Sequence, residues 1–314
     1  MLEGVVVKST GSWYRVNLTN GETYECRILG KFRLNGKKLT NPVAVGDKVH
    51  IVLEADNKGL IKKILPRQNY VIRQSPRKKH FLHLLASNID QAVLFMTIVH
   101  PNLKQGFIDR YLLMMEPHDI PTIIVFNKAD LYDEEALLMF DYLKAVYESI
   151  GYKVLLTSSV TKQGVEELRS LLKDKITLIG GQSGVGKSTM ANDLQPHLKL
   201  RTEEISDFSG KGQHTTTFAE MHSLDFGGSV IDTPGIKTLA FTNLEPMDVA
   251  HNFREFFVLS KNCKFHDCSH RREPKCAVKD AIEEGAVSEL RYANYIKILD
   301  EIEDQNYWER HKDI

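Results

Sequence analysis

The sequence predicts a multidomain chain: an N-terminal all-β barrel, a central α/β domain built around a phosphate loop, and a C-terminal α-helical segment that holds a metal. Three observations predict it. Residues 1–65 alternate short strand-like runs with turns, strands alternate with helices after residue 80, and three of the four cysteines crowd into residues 263–276. At 314 residues there is length for two or three domains of ~100–150 residues each. The expected boundaries are 1–68, 69–241 and 242–314.

In the first part the strand-like runs are GVVVK, SWYRVNL, ETYECRIL, DKVHIVL and LIKKIL, with the hairpin signal Asn20-Gly21 between the second and third. Five short strands suit a small closed barrel, either an OB-fold or an SH3-like one. Cys26, alone in a strand-like run, reads as a small buried hydrophobe.

A polar, basic linker is expected at 66–80. Beyond it AVLFMTIV, TIIVFN, KVLLTS, ITLIGG, MHSLDF and SVIDT read as strands. Asp133 can cap a helix with Leu137, Phe140, Leu143, Tyr147 and Ile150 on one face, ended by Gly151. That alternation implies a mainly parallel sheet covered by helices. From about 242 onward the pattern is helical, interrupted by the cysteine cluster.

The 41 basic and 41 acidic residues cancel, so total charge points to no partner, but its distribution does. Residues 57–89 contain no Asp or Glu and carry Lys58, Lys62, Lys63, Arg67, Arg73, Arg77, Lys78 and Lys79, whereas 280–304 is acidic. A basic run is most often a solvated face; with an adjoining barrel it becomes an RNA-binding candidate. The longest apolar run, 92–99, is too short to span a bilayer, and residues 1–12 lack the pattern of a secretory signal, so a cytoplasmic location is expected.

GGQSGVGKST at 180–189 satisfies the phosphate-loop pattern. Gly181, Gln182, Ser183, Gly184, Val185 and Gly186 would curl so that backbone N–H groups face phosphate oxygens. Lys187 would reach the β- and γ-phosphates, Ser188 would bind Mg²⁺, and Thr189 follows into the helix. In SVIDTPG, Asp232 ends a strand where a carboxylate can hold the metal, and the Gly235 N–H can meet the γ-phosphate.

Asn127-Lys128-Ala129-Asp130 supplies base choice. The Asp130 carboxylate would accept from guanine N1–H and the exocyclic amine, and adenine would leave it unpaired. A second loop at Thr157-Ser158-Ser159 would bring N–H groups of Ser158 and Ser159 to guanine O6. In an ordinary guanine-nucleotide domain this tetrapeptide follows the phosphate loop; here it precedes it. Loops at the carboxyl ends of one parallel sheet share a crevice whatever their order, so the chain reads as a circularly permuted GTPase domain. Its second switch would run directly into the C-terminal segment, coupling nucleotide state to whatever that segment binds.

Cys263-x4-Cys268-x-His270-x5-Cys276 supplies three thiolates and an imidazole, a closed tetrahedral set for one structural Zn²⁺; His266 is a rival by spacing. Lys261, Lys264, Arg271, Arg272 and Lys275 surround it and could meet RNA phosphate.

Taken together, the barrel, the permuted order and the cysteine spacing resemble the bacterial ribosome small subunit-dependent GTPases, the RsgA family, over nearly the whole chain. SNIDQAVLF at 87–95 and GQHTTT at 212–217 are also similar to family elements. The resemblance implies an OB-fold, Mg²⁺-dependent GTP hydrolysis stimulated by the small ribosomal subunit and its rRNA, and a role in late maturation of that subunit. It favours His270 as zinc ligand, and Thr216 over Thr215 to complete the Mg²⁺ shell. Ile236 stands where many GTPases place a water-orienting glutamine, and the resemblance points instead to His214 as the catalytic residue. A monomer is expected. The rival functions are a nucleotide-gated RNA-binding scaffold and a regulatory GTPase with a protein target.

Overall fold

Alternating burial in the first sixty residues closes a barrel. The computed structural model describes residues 1–29, 41–55, 57–74, 82–196, 219–232 and 244–310. Strands β1 (Leu2–Ser9), β2 (Tyr14–Leu18), β3 (Thr23–Ile28), β4 (Lys48–Leu53) and β5 (Lys58–Ile64) pair in the order β1-β2-β3-β5-β4, and β1 also pairs with β4. The β3–β5 pairing is parallel and the others are antiparallel, which makes this the five-stranded Greek-key barrel of an OB-fold rather than an SH3-like one. Val6, Tyr14, Val16, Cys26, Val49, Ile51 and Ile61 fill it. Tyr14 is therefore core, its hydroxyl donating to Asn41 Oδ1 at 2.5 Å, while the neighbouring Trp13 is exposed beneath the Arg27 guanidinium.

The stretch read as a linker is partly structured. Residues Tyr70–Gln74 form β6, which pairs antiparallel with β7 (Leu82–Ser87). Pro, Lys and Arg between the two runs gave the segment a linker's composition, and the short YVI run inside it passed unnoticed. Arg77, Lys78 and Lys79 lie outside the described residues.

The α/β sheet runs β10 (Lys153–Leu156), β9 (Thr122–Phe126), β8 (Gln91–Met96), β11 (Ile176–Gly181), β13 (Ser229–Asp232), β12 (Glu220–Ser223). All neighbours are parallel except β12, which is antiparallel to β13. Being buried on both faces, the central strands β8 and β9 read as near-continuous apolar runs. Leu94, Met96, Ile124 and Phe126 face α1 (Gln105–Met115) and α2 (Glu134–Ser149), whereas Val93, Phe95, Ile123 and Val125 face α3 (Val165–Leu172) and α4 (Lys187–Leu194). Asp133 caps α2 by accepting from Ala136 N at 2.9 Å. Phe140, Leu143 and Tyr147 are core as expected, but Leu137 is 40% exposed; Ala136 takes the inward position.

The C-terminal part packs α5 (Pro246–Asn252), α6 (Arg254–Ser260), α7 (Ala277–Glu283) and α8 (Glu289–Arg310) around Phe253, Phe256, Val278, Tyr295, Ile298 and Leu299. Leu113 of α1 belongs to this second core. Among the described residues no helix is long and apolar enough to cross a membrane.

Buried polar contacts fix the parts on one another. The Ser87-Asn88-Ile89-Asp90 motif clasps the barrel. Ser87 Oγ donates to Asp47 Oδ1 (2.6 Å), and Asn88 Nδ2 donates to the Gly46 carbonyl (2.8 Å). Asn69 and Ile89 exchange two hydrogen bonds of 2.8 Å, and Asp90 accepts from Ile176 N (2.7 Å). Arg67 grips the wholly buried Asp47 with both prongs of its fork, at 2.6 and 2.7 Å. On the other side, Arg291 of α8 pairs with Asp109 of α1 and Glu255 of α6, and Asn294 donates to Asp109 Oδ2 at 2.6 Å. Burial pushes the Asp109 carboxyl upward against the pull of the guanidinium; Arg291, despite burial working against its charge, is held protonated by Asp109 and Glu255.

Removing one partner of a buried pair strands the other, at a cost on the order of 3 kcal/mol. Asp47→Ala is thus expected to destabilise the barrel by that order, read from Trp13 fluorescence in urea on a Trp308→Phe background. A loss under ~0.5 kcal/mol, the range of an ordinary surface change, would show that the clasp is not a stabilising contact.

Candidate nucleotide site and metal centre

Because β8, β9, β10, β11 and β13 run parallel, their carboxyl ends lie along one edge. The registers place Leu156 beside Phe126, Phe126 beside Met96, Phe95 beside Gly181 and Ile179 beside Asp232. The loops that follow these strands are the 97–104 loop, the guanine-type loop, the 157–159 loop, the phosphate loop and the segment after Asp232. Chain order does not enter.

The phosphate and guanine-type loops are hydrogen-bonded to each other. Asn127 Nδ2 donates to the Val185 carbonyl at 2.9 Å, and Asn127 Oδ1 accepts from Thr157 Oγ1 at 3.0 Å. One buried amide therefore ties three loops. Gly186 makes this approach feasible: its φ is +89°, and a Cβ there would stand 2.5 Å from Asn127 Nδ2. Lys187, the first residue of α4, turns its ammonium into the curl, donating to the carbonyls of Gly181 (3.0 Å) and Gln182 (2.6 Å). Ser188 and Thr189 follow in the first turn of α4, the end of a helix whose dipole favours an anion.

On the base side, Lys128 takes a left-handed conformation (φ 65°) and donates to the His100 carbonyl at 2.8 Å. Burial lowers its pKa, with Asp130 partly offsetting that. Asp130 accepts from Ser158 Oγ, and the same hydroxyl accepts from the Val160 and Thr161 N–H groups at 3.2 and 3.1 Å. The carboxylate is thereby aimed by a turn whose amides are engaged within it, the Ser158 N–H donating to the Gln163 carbonyl at 3.1 Å. The Ser159 hydroxyl is buried without a hydrogen-bond partner among the described residues, an arrangement that suits a further polar ligand. Tyr132 went unread in the sequence: its hydroxyl donates to the Asn127 carbonyl (3.0 Å) and accepts from Ile98 N (2.9 Å). No motif marks a tyrosine that braces a loop from five residues away.

Asp232 ends β13 at this edge. His214, Thr215, Thr216, Gly235 and Ile236 lie outside the described residues.

Cys263, Cys268, His270 and Cys276 converge, each offering a ligand atom within 4.8 Å of the others. His270 Nδ1 lies 3.7 Å from Cys263 Sγ and 3.4 Å from Cys276 Sγ. A tetrahedral ion with Zn–S about 2.3 Å and Zn–N about 2.0 Å separates such atoms by about 3.5 Å. His270 is buried and His266 exposed, which decides between them. Burial lowers the His270 pKa, so its ring is the neutral, ligating form at neutral pH. Burial also pushes the Cys268 thiol up to about 12 and raises Cys276, so three adjacent thiolates need a cation to offset them. The donor set fits one zinc ion with every position filled. Glu273 organises the loop between the last two ligands: although burial acts the other way, hydrogen bonds from Ser269 and the Arg271 N–H hold its carboxyl at about 2.

Comparisons with known proteins agree with this geometry. The sequence model of the RsgA GTPase family matches residues 64–242, and that of the RsgA N-terminal domain matches residues 3–61. A relative from Flavobacterium psychrophilum, named small ribosomal subunit biogenesis GTPase RsgA, is 48% identical over 98% of this chain and 94% of its own length. The crystal structure of YjeQ from Thermotoga maritima superposes with a TM-score of 0.78 at 36% identity, covering 96% of this chain and 98% of that one. YloQ, described as a circularly permuted GTPase, gives a TM-score of 0.73 at 32% identity, over 97% of this chain and 96% of its own.

The metal centre makes a direct prediction. Purified protein should carry one zinc per chain by elemental analysis, lost in His270→Ala and kept in His266→Ala. Retention in His270→Ala would contradict the assigned ligand set.

Proposed function

This chain belongs to the RsgA family of GTPases, and on that premise we propose that it binds the small ribosomal subunit and acts in its late maturation, hydrolysing GTP to GDP and phosphate under stimulation by the subunit. The observation that carries the reading is the Asn127 amide, which joins a guanine-type loop to a phosphate loop in one crevice. In this reading Lys128 and Asp130 hold the base, and Ser158 and Ser159 meet its O6 edge. Residues 181–189 wrap the phosphates, with Lys187 on the β- and γ-groups.

Bound with GTP, Mg²⁺ would neutralise developing phosphate charge; Ser188, Asp232 and Thr216 are the residues proposed to hold it. Gly235 would donate its N–H to the γ-phosphate, and His214 would orient or deprotonate the attacking water. Isoleucine at 236 cannot take that role. Intrinsic turnover is then slow, and docking on the subunit accelerates it through His214. Zinc is structural, since its four protein ligands leave no position for substrate.

We assign the rRNA-facing surface to the barrel and the basic 57–89 stretch, where Lys58, Lys62 and Lys63 bring positive charge that suits phosphate contact, Arg67 being engaged with Asp47. The protein is proposed to act as a cytoplasmic monomer divided at 1–68, 69–241 and 242–314. The scaffold reading and the protein-target reading lack a feature that favours them over family membership.

Steady-state GTP hydrolysis with small subunits, against large subunits as control, tests the proposal. Small subunits alone should raise turnover by at least tenfold, with the effect abolished by Lys187→Ala and reduced by His214→Ala. Intact GTP binding without any stimulation would overturn it.

A further inference from the structure

The nucleotide site and the zinc-bearing helices are joined covalently through residues 233–243, but they also meet through a folded element, α1. Its first contact is with the nucleotide loops. The segment 97–104 that leads into it supplies the His100 carbonyl to Lys128, and it sets Pro101 Cδ 3.7 Å from where a Cβ on Gly184 would lie.

The second contact is with the root of the phosphate loop. The Tyr111 ring, wholly buried, lies directly on Gly180: a Cβ there would stand 2.2 Å from the ring and 2.6 Å from its hydroxyl oxygen. That hydroxyl has no hydrogen-bond partner among the described residues. An orphaned buried hydroxyl costs stability, so the ring's place on Gly180 is not set by its polar end.

The third contact is with the C-terminal helices. Arg291 reaches Asp109 and spans to Glu255, whose carboxylate it meets at 2.5 and 3.1 Å. Asn294 bonds both Asp109 and Gln105, and Arg110 pairs with Glu301. The opposite side of α1 thus rests on the phosphate loop while this side is bolted to α8. Packed interiors transmit displacement because they have few voids to absorb it.

We propose that α1 couples the C-terminal domain to the nucleotide site, with the Arg291–Asp109 pair as its grip on α8 and the Tyr111 ring as its contact on the phosphate loop. A partner that shifts the C-terminal helices then shifts the curl holding Lys187, and by reciprocity nucleotide state is felt in α8. The inference rests on the proposed stimulation by the small subunit for its partner, and not for the link itself.

Two readouts on the full chain test it. Arg291→Lys keeps the charge but loses the fork. It is expected to bind GTP and the small subunit within twofold of wild type while stimulated kcat at saturating subunit falls at least tenfold. Tyr111→Leu should do the same, and Tyr111→Phe, which keeps the ring, should not. In parallel, exchanging GDP for a non-hydrolysable GTP analogue should change amide hydrogen exchange across residues 289–302 in wild type and not in Tyr111→Leu. Wild-type stimulation that survives in Arg291→Lys and Tyr111→Leu overturns the link. Exchange in α8 that is indifferent to nucleotide overturns it too. Absence of stimulation in wild type, with α8 exchange still nucleotide-dependent, instead refutes the ribosomal reading and leaves the link standing.

Discussion

The hydrogen bond from Asn127 Nδ2 to the Val185 carbonyl is what turns two separate loops into a site. Without it the phosphate loop and the guanine-type loop would be neighbours on a sheet edge, free to drift. With it, a buried carbonyl and a buried amide satisfy each other. Losing the partner would cost about 1–3 kcal/mol for the group left behind, more than the net worth of the bond itself. Gly186 has to be a glycine for this contact to close, and Thr157 has to present its hydroxyl to the other end of the same amide. The constraint is local and indifferent to where the chain begins, which is why reordering the elements leaves the crevice intact.

Around that site, apolar burial and polar contacts do different work. The two faces of the sheet are held by alternating Leu, Ile, Val and Phe, each worth ~1.5–3 kcal/mol when fully buried. Such contacts are strong but weakly directional. Orientation comes from the clasp at Asp47–Arg67–Ser87 on one side and the Asp109–Arg291–Glu255 cluster on the other. Each is a charged group that tolerates few arrangements, since misplacing it leaves a buried charge unpaired. The barrel and the zinc-bearing helices are thus set at defined angles to the nucleotide edge.

Much of this was legible from the chain. The five barrel strands, the six sheet strands and the Asp133 cap announce themselves by period and punctuation, and the cysteine spacing by ligand chemistry. Between OB-fold and SH3-like barrels the local pattern is silent, because the difference lies in the parallel β3–β5 pairing, made by strands separated along the sequence. The β6–β7 hairpin hid in a linker-like composition. Arg291 was the larger miss. It stands in a run of acids and reads as a stray surface cation, yet it is 2% exposed, with its main partner 182 residues away. Nothing in its neighbourhood signals a partner so distant. Tyr111 and Tyr132 are similar cases: helix or loop aromatics whose importance is defined by the backbone they touch.

The central claim is that the permuted loops form one guanine-nucleotide site, and calorimetric titration with GDP and ADP tests it most directly. The account predicts one GDP bound per chain, no ADP, and loss of at least a hundredfold in GDP affinity for Asp130→Ala and for Lys187→Ala alike. GDP binding that survives Asp130→Ala with its affinity unchanged, or ADP binding of similar strength, would show that the two loops do not read one ligand.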